Sequence, residues 1–173
     1  MTYVGPAAPL TTPRLRVDQP TLGDAPDFAR LLNDFDVVRW LAVVPHPYTE
    51  ADARAFISDY VPNNGVWRVA QQDNGATLGV VGLSPSRPGR LEIGYWIGRA
   101  YWGAGYATEA ASAVVAAARA DPRLAGLTSG YFDGNAASAN VLRKLGFREI
   151  GRDVRRCEAQ DADLPHVTLE LRF

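Results

Sequence analysis

The segment from Glu92 to Ala110, EIGYWIGRAYWGAGYATEA, carries the residues best suited to bind a charged ligand. A run of strand-forming residues leads through a glycine-containing loop into the start of an alanine-rich helix. Gly103 and Gly105 allow the loop to bend so that several backbone N–H groups converge, and the helix dipole favours an anion at the same place. The segment therefore predicts a site for a phosphorylated ligand. The alternative is a tight strand-to-helix turn that binds nothing.

The spacing of residues excludes two common classes of phosphate site. A P-loop requires GxxxxGK followed by Ser or Thr, and the only lysine of the chain is Lys144. A dinucleotide-binding loop requires GxGxxG, but Thr108 stands where the third glycine belongs. That loop also opens a βαβ unit, whereas this one follows a predicted antiparallel meander. A different kind of phosphate-binding loop is required.

Length and composition limit the remaining classes of protein. The chain has 173 residues, of which 47% are apolar, and this suffices for one domain with its own core. A net charge of -1 argues against binding nucleic acid through its phosphates. The longest Ala/Val-rich run, residues 110–118, is much shorter than the about 20 residues of a membrane helix, and the N-terminus lacks a signal-peptide pattern. We therefore expect no nucleic-acid or membrane partner and a cytoplasmic location, which suits a single, structural Cys157.

The elements that must position the loop alternate between helix and strand. In the first half of the chain, a short strand at 15–17 precedes two helices, each opened by a capping-box pattern, Thr21 with Asp24 and Thr49 with Asp52. The first helix runs to about residue 33 and the second ends before residue 62. Three strand-like runs begin at residues 66, 78 and 90 with turn signals between them, and they predict an antiparallel meander.

The second half of the chain continues with helix, strand, helix and closing strands. The helix that starts at the glycine loop is apolar around most of its circumference, so it must be buried against a sheet. A strand near 127–132 leads to a second helix that ends at Gly146, and the last residues alternate apolar with polar as in a half-buried strand. We predict a mixed α/β (α+β) fold with a largely antiparallel central sheet flanked by helices. A flexible segment, 1–12, precedes one domain over 13–173.

At this point three motifs resemble a known family. WGAGYATEA resembles the coenzyme A pyrophosphate motif of the GNAT superfamily of N-acetyltransferases, and EIGYWI and NAASANVLRKLGF resemble its RimJ/RimL-type branch. The resemblance extends from TPRLRV to the last strand. It implies the GNAT acyl-CoA N-acyltransferase fold, with acetyl-CoA as cosubstrate and no metal. Trp102 departs from the superfamily, whose loop usually begins with Gln or Arg, so phosphate binding should rest on the main-chain amides.

The resemblance also assigns residues to the cofactor. It implies that the pantetheine arm lies beside the strand that ends at Trp96 and Ile97, where Gly94 and Gly98 would let another backbone approach. Asn135 matches the family's pantetheine-binding asparagine and Ser138 the serine that faces the thioester sulfur; a helix N-cap and a first-turn polar residue are their alternatives. The predicted cofactor-binding residues are Trp96, Ile97, Trp102, Gly103, Ala104, Gly105, Tyr106, Ala107, Thr108, Asn135, Ser138 and Lys144, the last of which could equally be solvated.

The implied reaction is direct attack of a neutral amine on the thioester in a ternary complex. An α-amine with a pKa of about 8 is about one-tenth neutral at pH 7, whereas a lysine amine with a pKa of about 10.4 is neutral in about one molecule in 2,500. Glu92 is the predicted base, acting through water, and a salt-bridged or solvent-facing glutamate is the alternative. Ser138 is predicted to give a proton or hydrogen bond to the departing thiolate.

The acceptor is a primary amine, either a protein N-terminal amine or a small-molecule amine. Trp40, His46 and Tyr48 are predicted to border its pocket, although the Pro-rich segment around His46 could be a rigid turn packed on the core. His166 receives no role, because its strand pattern puts it on the polar face. A non-catalytic acyl-CoA-binding sensor is the alternative function, and a homodimer is a possible assembly.

Overall fold

One sheet organises the protein. The computed structural model describes residue 5 and residues 8–173, and within them the sheet has eight strands. They are β1 (Leu10–Thr11), β2 (Leu15–Asp18), β3 (Gly65–Gln71), β4 (Thr77–Arg87), β5 (Arg90–Ile97), β6 (Gly126–Phe132), β7 (Arg148–Cys157) and β8 (Ala162–Arg172). Their order across the sheet is β1-β2-β3-β4-β5-β6-β8-β7, and every neighbouring pair is antiparallel except β5 and β6. The predicted fold class is confirmed.

The helices begin where their capping residues predict. The α-helices are α1 (Ala25–Leu32), α2 (Phe35–Val38), α3 (Glu50–Ala55), α4 (Tyr106–Arg119) and α5 (Ala136–Lys144), with a π-helical turn at Phe56–Tyr60 and 3-10 turns at Leu22–Asp24, Val61–Asn63, Arg99–Tyr101 and Glu158–Gln160. At the start of α3, the Thr49 amide donates to Asp52 and the Asp52 amide donates back to the Thr49 hydroxyl, at 2.8 and 3.2 Å. This reciprocal pairing satisfies two N–H groups that the first turn would otherwise leave open.

The two faces of the sheet bury different helices. On one face α4 and α5 pack on the sheet, and Ala111, Val114 and Leu142 are fully buried there. On the other face α1, α2 and α3 form a separate cluster around Phe28, whose ring meets Trp96 edge-on at 5.7 Å between centroids. β5 runs between both clusters and alternates its side chains between them. It is therefore the central strand for any site built between the two layers.

Two elements were not predicted from the sequence, and the first of the closing strands was predicted without bounds. β1 and α2 are too short to give a clear period. β7 forms the edge of the sheet and is exposed along most of its length, so it lacks the alternation that marks a half-buried strand. Part of the predicted flexible segment 1–12 lies outside the described residues, but Leu10 and Thr11 already pair with β2. Among the described residues, no helix has the length and apolar character needed to cross a membrane.

Candidate active site

A cleft opens where β5 and β6 stop pairing. These parallel neighbours pair only from Arg90 to Glu92 on β5, opposite Gly126 to Thr128 on β6. Beyond Glu92 a cleft of about 520 Å³ lies between them, a volume typical of small-molecule sites. Its walls are the ends of both strands, the loop 99–105, the first turns of α4 and α5, and the segment that follows α2. The resembled family's motifs thus meet at one cavity.

Most of the predicted cofactor-binding residues line this cleft. They are Trp96, Ile97, Trp102, Gly103, Gly105, Tyr106, Ala107, Thr108, Asn135, Ser138 and Lys144. Ala104 belongs to the same loop, but its side chain is not part of the cavity wall. Glu92 and Trp40 also line the cleft.

The edge of β5 that faces the cleft has backbone groups free for a ligand. The carbonyl of Ile93 accepts from the Ser129 hydroxyl at 2.9 Å, and the carbonyl of Ile97 accepts from the indole of Trp102 at 2.6 Å, so both point away from β4. In a strand, the N–H and C=O groups of every second residue point to the same side. The N–H and C=O of Tyr95, between Ile93 and Ile97, therefore also point away from β4 and into the cleft. An extended ligand can therefore pair with β5 as an added strand would.

The loop before α4 is shaped as an anion site. Gly103 and Gly105 have φ of 77° and 82°, a left-handed conformation that favours glycine, and Gly105 caps the 14-residue helix without a side-chain hydrogen bond. The amides of Tyr106, Ala107 and Thr108 belong to the first helical turn, so no carbonyl within the helix can accept from them. These converging N–H groups and the helix dipole fit a pyrophosphate.

A nearby acidic side chain is neutralised. Glu109 lies in the first turn of α4, where its charge would repel phosphate, but Arg14 pairs with it at 2.6 Å and the Thr12 hydroxyl donates to it at 2.5 Å. These partners outweigh partial burial and hold the pKa of Glu109 below its usual value. The guanidinium of Arg14 also stacks on the ring of Tyr106, 4.5 Å from the centroid. Thr12 and Arg14, in the segment before β2, therefore reduce the repulsion between Glu109 and a phosphate bound at the loop.

Trp102 has a positioning contact at the loop position where the superfamily usually has Gln or Arg. Its indole donates to the Ile97 carbonyl and its side chain stays about half exposed, at 48%. This bond ties the start of the glycine loop to the end of β5. This hydrogen bond thus holds the start of the loop in place, although residue 102 carries no charge.

The start of α5 brings two hydroxyls together. The Asn135 side chain caps the helix by accepting from the Ser138 amide at 3.2 Å, which matches its alternative assignment as an N-cap, and it also lines the cleft. The Oγ of Ser138 lies 2.9 Å from the phenolic oxygen of Tyr95. Burial raises the pKa of Tyr95 to about 12, so its phenol stays protonated over the neutral range. Tyr95 was not predicted as a site residue, because only the tertiary structure brings it to Ser138.

A polar cluster of Glu92, Asp153, Arg155 and His166 lies at the end of the cleft away from the glycine loop. Arg155 pairs with Glu92 at 3.0 Å and lies 3.9 Å from Asp153, whose Oδ1 lies 2.8 Å from Nδ1 of His166. The salt-bridged alternative for Glu92 is therefore what the structure contains, although its side chain keeps 34% exposure and faces the cleft. His166 lies on the polar face, as predicted, but is 5% exposed and lines the cavity, which the sequence analysis missed.

The predicted acceptor residues separate into two groups. Trp40 lines the cleft, and its segment is fastened to the far side of the site because the amide of Glu158 donates to Ala42 at 3.0 Å. His46 is exposed and meets the ring of Phe35, whereas Tyr48 is buried in the helical cluster. Neither lines the cleft, so their contact with an acceptor stays a prediction without structural support.

The two glycines expected to admit a ligand backbone differ. A Cβ at Gly98 would lie 2.6 Å from Cδ2 of Leu31, so the space beside this glycine is filled by a side chain of α1. At Gly94 a Cβ would have no described atom within 4 Å, and this residue lines the cleft. Only Gly94 leaves open space beside the strand.

Comparison with known families identifies the class of protein. Residues 14–148 match the acetyltransferase (GNAT) domain, which is most of the chain. The protein therefore belongs to the GNAT acetyltransferase family and is an acetyl-CoA-dependent acetyltransferase. The resemblance found in the sequence is confirmed.

Individual relatives agree with this assignment. The chain is 28% identical over 148 residues to the uncharacterized N-acetyltransferase YoaA of Bacillus subtilis, covering 82% of this chain and 84% of that protein. In fold, it is similar to RimL, a ribosomal L7/L12 alpha-N-protein acetyltransferase solved with coenzyme A, at a TM-score of 0.85, 15% identity and coverage of 96% and 98%. A GNAT-family acetyltransferase from Bacillus anthracis gives a TM-score of 0.84 at 20% identity, with coverage of 95% and 98%. These likenesses between structures show the shared fold.

Proposed function

We propose that this acetyltransferase transfers the acetyl group of acetyl-CoA to a primary amine by direct attack in a ternary complex. The observation that carries the proposal is the continuity of one cleft. It runs from the first turn of α4, whose N–H groups have no side-chain cap, past Ser138 and Tyr95, to Glu92 and His166. An anion site, a hydroxyl donor and proton-accepting groups face the same space, which is what transfer between two bound molecules requires.

The glycine loop and β5 would hold the cosubstrate. Acetyl-CoA supplies a thioester that an amine can attack and a thiolate that leaves. The amides of the loop 103–108, with the Thr108 hydroxyl, would bind its pyrophosphate, and the free N–H and C=O of Tyr95 would pair with its pantetheine arm. Asn135 has its side-chain amide available for the same arm. Lys144, exposed at the end of α5 and lining the cleft, would meet the outer phosphates.

Ser138 would donate a proton to the leaving sulfur. Its hydroxyl lies at the cleft wall and is 2.9 Å from the phenol of Tyr95, which can replace the donated proton. Because burial keeps Tyr95 protonated, the pair has a proton to give at every pH at which the amine is neutral enough to react. Tyr95 therefore extends the role assigned to Ser138.

Glu92 would act on the amine through water. Its carboxylate attracts the ammonium form of the acceptor and orders the water by which a proton leaves. One of its oxygens is occupied by Arg155 at 3.0 Å, and this ion pair fixes the direction of the other oxygen. Trp40 would cover the acceptor from the opposite wall.

Two classes of acceptor are to be distinguished. An N-terminal α-amine needs less help with deprotonation than a lysine amine, because its pKa of about 8 is closer to neutral pH. RimL, a fold neighbour, is a ribosomal-protein α-N-acetyltransferase, and this supports testing N-terminal peptides first. Small amines are the second class.

We also propose that the protein acts in the cytoplasm. Its single cysteine, Cys157, is buried and free, which suits a reducing compartment. A homodimer and independence from metals remain predictions.

The test of this function is thiol release from acetyl-CoA in the presence of each acceptor class. Peptides with a free N-terminus are compared with the same peptides carrying a blocked N-terminus, and small primary amines are compared with tertiary amines. We expect release only with free primary amines. Release that is equal with blocked and free peptides would overturn the proposal, since it would indicate hydrolysis.

A further inference from the structure

His166 and Asp153 form a pair that the sequence-based account does not use. Oδ1 of Asp153, on β7, lies 2.8 Å from Nδ1 of His166, on β8, and the imidazole is 5% exposed. An ionised carboxylate only accepts hydrogen bonds, so Nδ1 carries the proton and the lone pair of a neutral ring is on Nε2. The pairing therefore sets which nitrogen can accept a proton.

The free nitrogen faces the cleft. A Cβ at Gly130 would lie 2.4 Å from Nε2, so the ring lies directly over this glycine of β6, and both residues line the cavity. No hydrogen bond to Nε2 is found in the described part of the chain, and Nε2 is not among its fully buried, unpartnered atoms. A buried imidazole is thus held by one nitrogen and open to the cavity at the other.

The charges around the ring come from β7, which pairs with β8, and from β5, which lies on the other side of β6. Asp153 and Arg155 face it from β7, Glu92 faces it from β5, and the uncharged ring of Phe132 meets it edge-on at 5.7 Å from β6. Burial, aided by Arg155, lowers the pKa of His166 despite the two carboxylates. The imidazole is therefore uncharged at neutral pH, and its Nε2 lone pair faces the cleft.

We propose that His166 is a further catalytic residue, whose Nε2 takes the proton that the acceptor ammonium must lose, while Asp153 positions the ring. Glu92, as argued above, attracts the ammonium and holds the connecting water. This inference rests on the proposed function, because it needs an amine in this cleft. It assigns proton removal to an imidazole nitrogen that faces the cleft, and not to a glutamate carboxylate that is paired with Arg155.

The proton balance closes without another reagent. One N–H bond of the ammonium breaks, its electron pair stays on nitrogen, and the proton binds Nε2 and then passes to solvent. The nitrogen pair forms the C–N bond, the C–S bond breaks, and its pair goes to sulfur, which takes a proton from the Ser138 hydroxyl. The second proton lost by nitrogen restores the Ser138–Tyr95 pair. The sum is an amide, a free thiol and one released proton.

The first test needs no activity. The chain has two histidines, so ¹⁵N-labelled His46→Gln protein shows one imidazole, that of His166. At pH 7.5 we expect a neutral ring protonated on Nδ1, and a titration with a pKa below about 6.5. In Asp153→Asn the preference for the Nδ1 proton should weaken. A ring protonated on Nε2 in the parent protein at pH 7.5 would overturn the proposal.

The second test follows the rate against pH with an acceptor that the parent acetylates. In the parent, log kcat/KM should rise with a slope of about one below the pKa of His166 and with a slope of about zero above it, because the ammonium form of the acceptor brings the proton that neutral Nε2 takes. His166→Gln should lower kcat/KM at pH 7 by about 100-fold or more, leave a single slope, and change the KM for acetyl-CoA by less than a few fold. Tyr60→Phe, at a tyrosine that is 43% exposed and does not line the cleft, should keep the parent profile.

The outcomes separate this inference from the proposed function. A parent that releases thiol while His166→Gln keeps its rate and two-slope profile refutes only the role of His166. A parent that acetylates no amine refutes the proposed function and the inference with it. If His166→Gln does not fold, Asp153→Asn replaces it: a loss of the two-slope profile supports the proposal, and an unchanged profile overturns it.

Discussion

The phenolic oxygen of Tyr95 lies 2.9 Å from the Oγ of Ser138, and this contact joins β5 to the first turn of α5. Tyr95 points to the face covered by α4 and α5, whereas its neighbour Trp96 packs in the helical cluster on the other face. β5 therefore supplies the Tyr95 hydroxyl to the face covered by α4 and α5, and the Trp96 ring to the helical cluster on the other face. The contact also gives Ser138 a second proton source beside the cleft.

Ser138→Ala should reduce turnover by about 100-fold or more while acetyl-CoA affinity changes by less than a few fold, because a general acid matters mainly as charge develops on sulfur. Tyr95→Phe should reduce turnover less, and the double variant should be no slower than Ser138→Ala, since the two hydroxyls act as one unit. Steady-state kinetics and binding titrations measure both effects. Tyr60→Phe, at a 43% exposed tyrosine, is the control for loss of a phenol. Additive losses would mean that Tyr95 acts independently of Ser138.

Gly103→Asp should abolish stabilisation by coenzyme A. It places a carboxylate where the loop amides converge, and a ligand that binds only the folded state otherwise raises the melting temperature. Gly75→Asp is the matched control, because Gly75 has φ of 71° against 77° for Gly103 and a Cβ at either position has no described neighbour within 4 Å. Thermal melts with and without coenzyme A compare them. An equal shift in both variants would remove the pyrophosphate assignment.

Glu92→Gln should lower the rate at pH 7, and the deficit should shrink as pH approaches the pKa of the acceptor, where neutral amine is abundant without help. The substitution keeps the size of the side chain but removes the charge that attracts an ammonium and pairs with Arg155. pH–rate profiles from pH 6 to about 9.5 measure the deficit, with melting curves in parallel. A purely structural glutamate gives a different result, namely lower stability with a deficit that does not change with pH.

His166 should make the free energy of unfolding depend on pH. Its pKa is lowered in the folded state, so the unfolded chain binds a proton more readily and folding loses stability as pH falls below the unfolded pKa of about 6.5. Between pH 7.5 and 5.5 the parent should therefore lose more stability than His166→Gln in urea unfolding. Equal losses in parent and His166→Gln would contradict the lowered pKa.

Local patterns in the sequence predicted most of the fold. The capping boxes at Thr21 and Thr49, the three-strand meander and the apolar circumference of α4 are signals between residues close in sequence, and each is confirmed. The glycine loop was recognisable for the same reason: φ values of 77° and 82° at Gly103 and Gly105 require residues that are visible in the sequence.

The rest of the site depends on contacts between distant residues. Ser138 is 43 positions from Tyr95, and Arg155 is 63 positions from Glu92. His166 alternates with apolar residues as a solvent-facing residue would, and only the pairing of β7 with β8 brings Asp153 to it. A pattern of period two tells which face a side chain is on, but it does not tell what covers that face.

The proposed function requires direct transfer of acetyl from acetyl-CoA to an amine in this cleft. The most direct measurement is mass spectrometry of the protein, the acceptor and the cosubstrate after one reaction. We predict acetylated amine and free coenzyme A in equal amounts, and a protein whose mass stays unchanged when it is mixed with acetyl-CoA alone. Free thiol without acetylated amine, or a protein that acquires an acetyl group that then passes to the amine, would contradict this account.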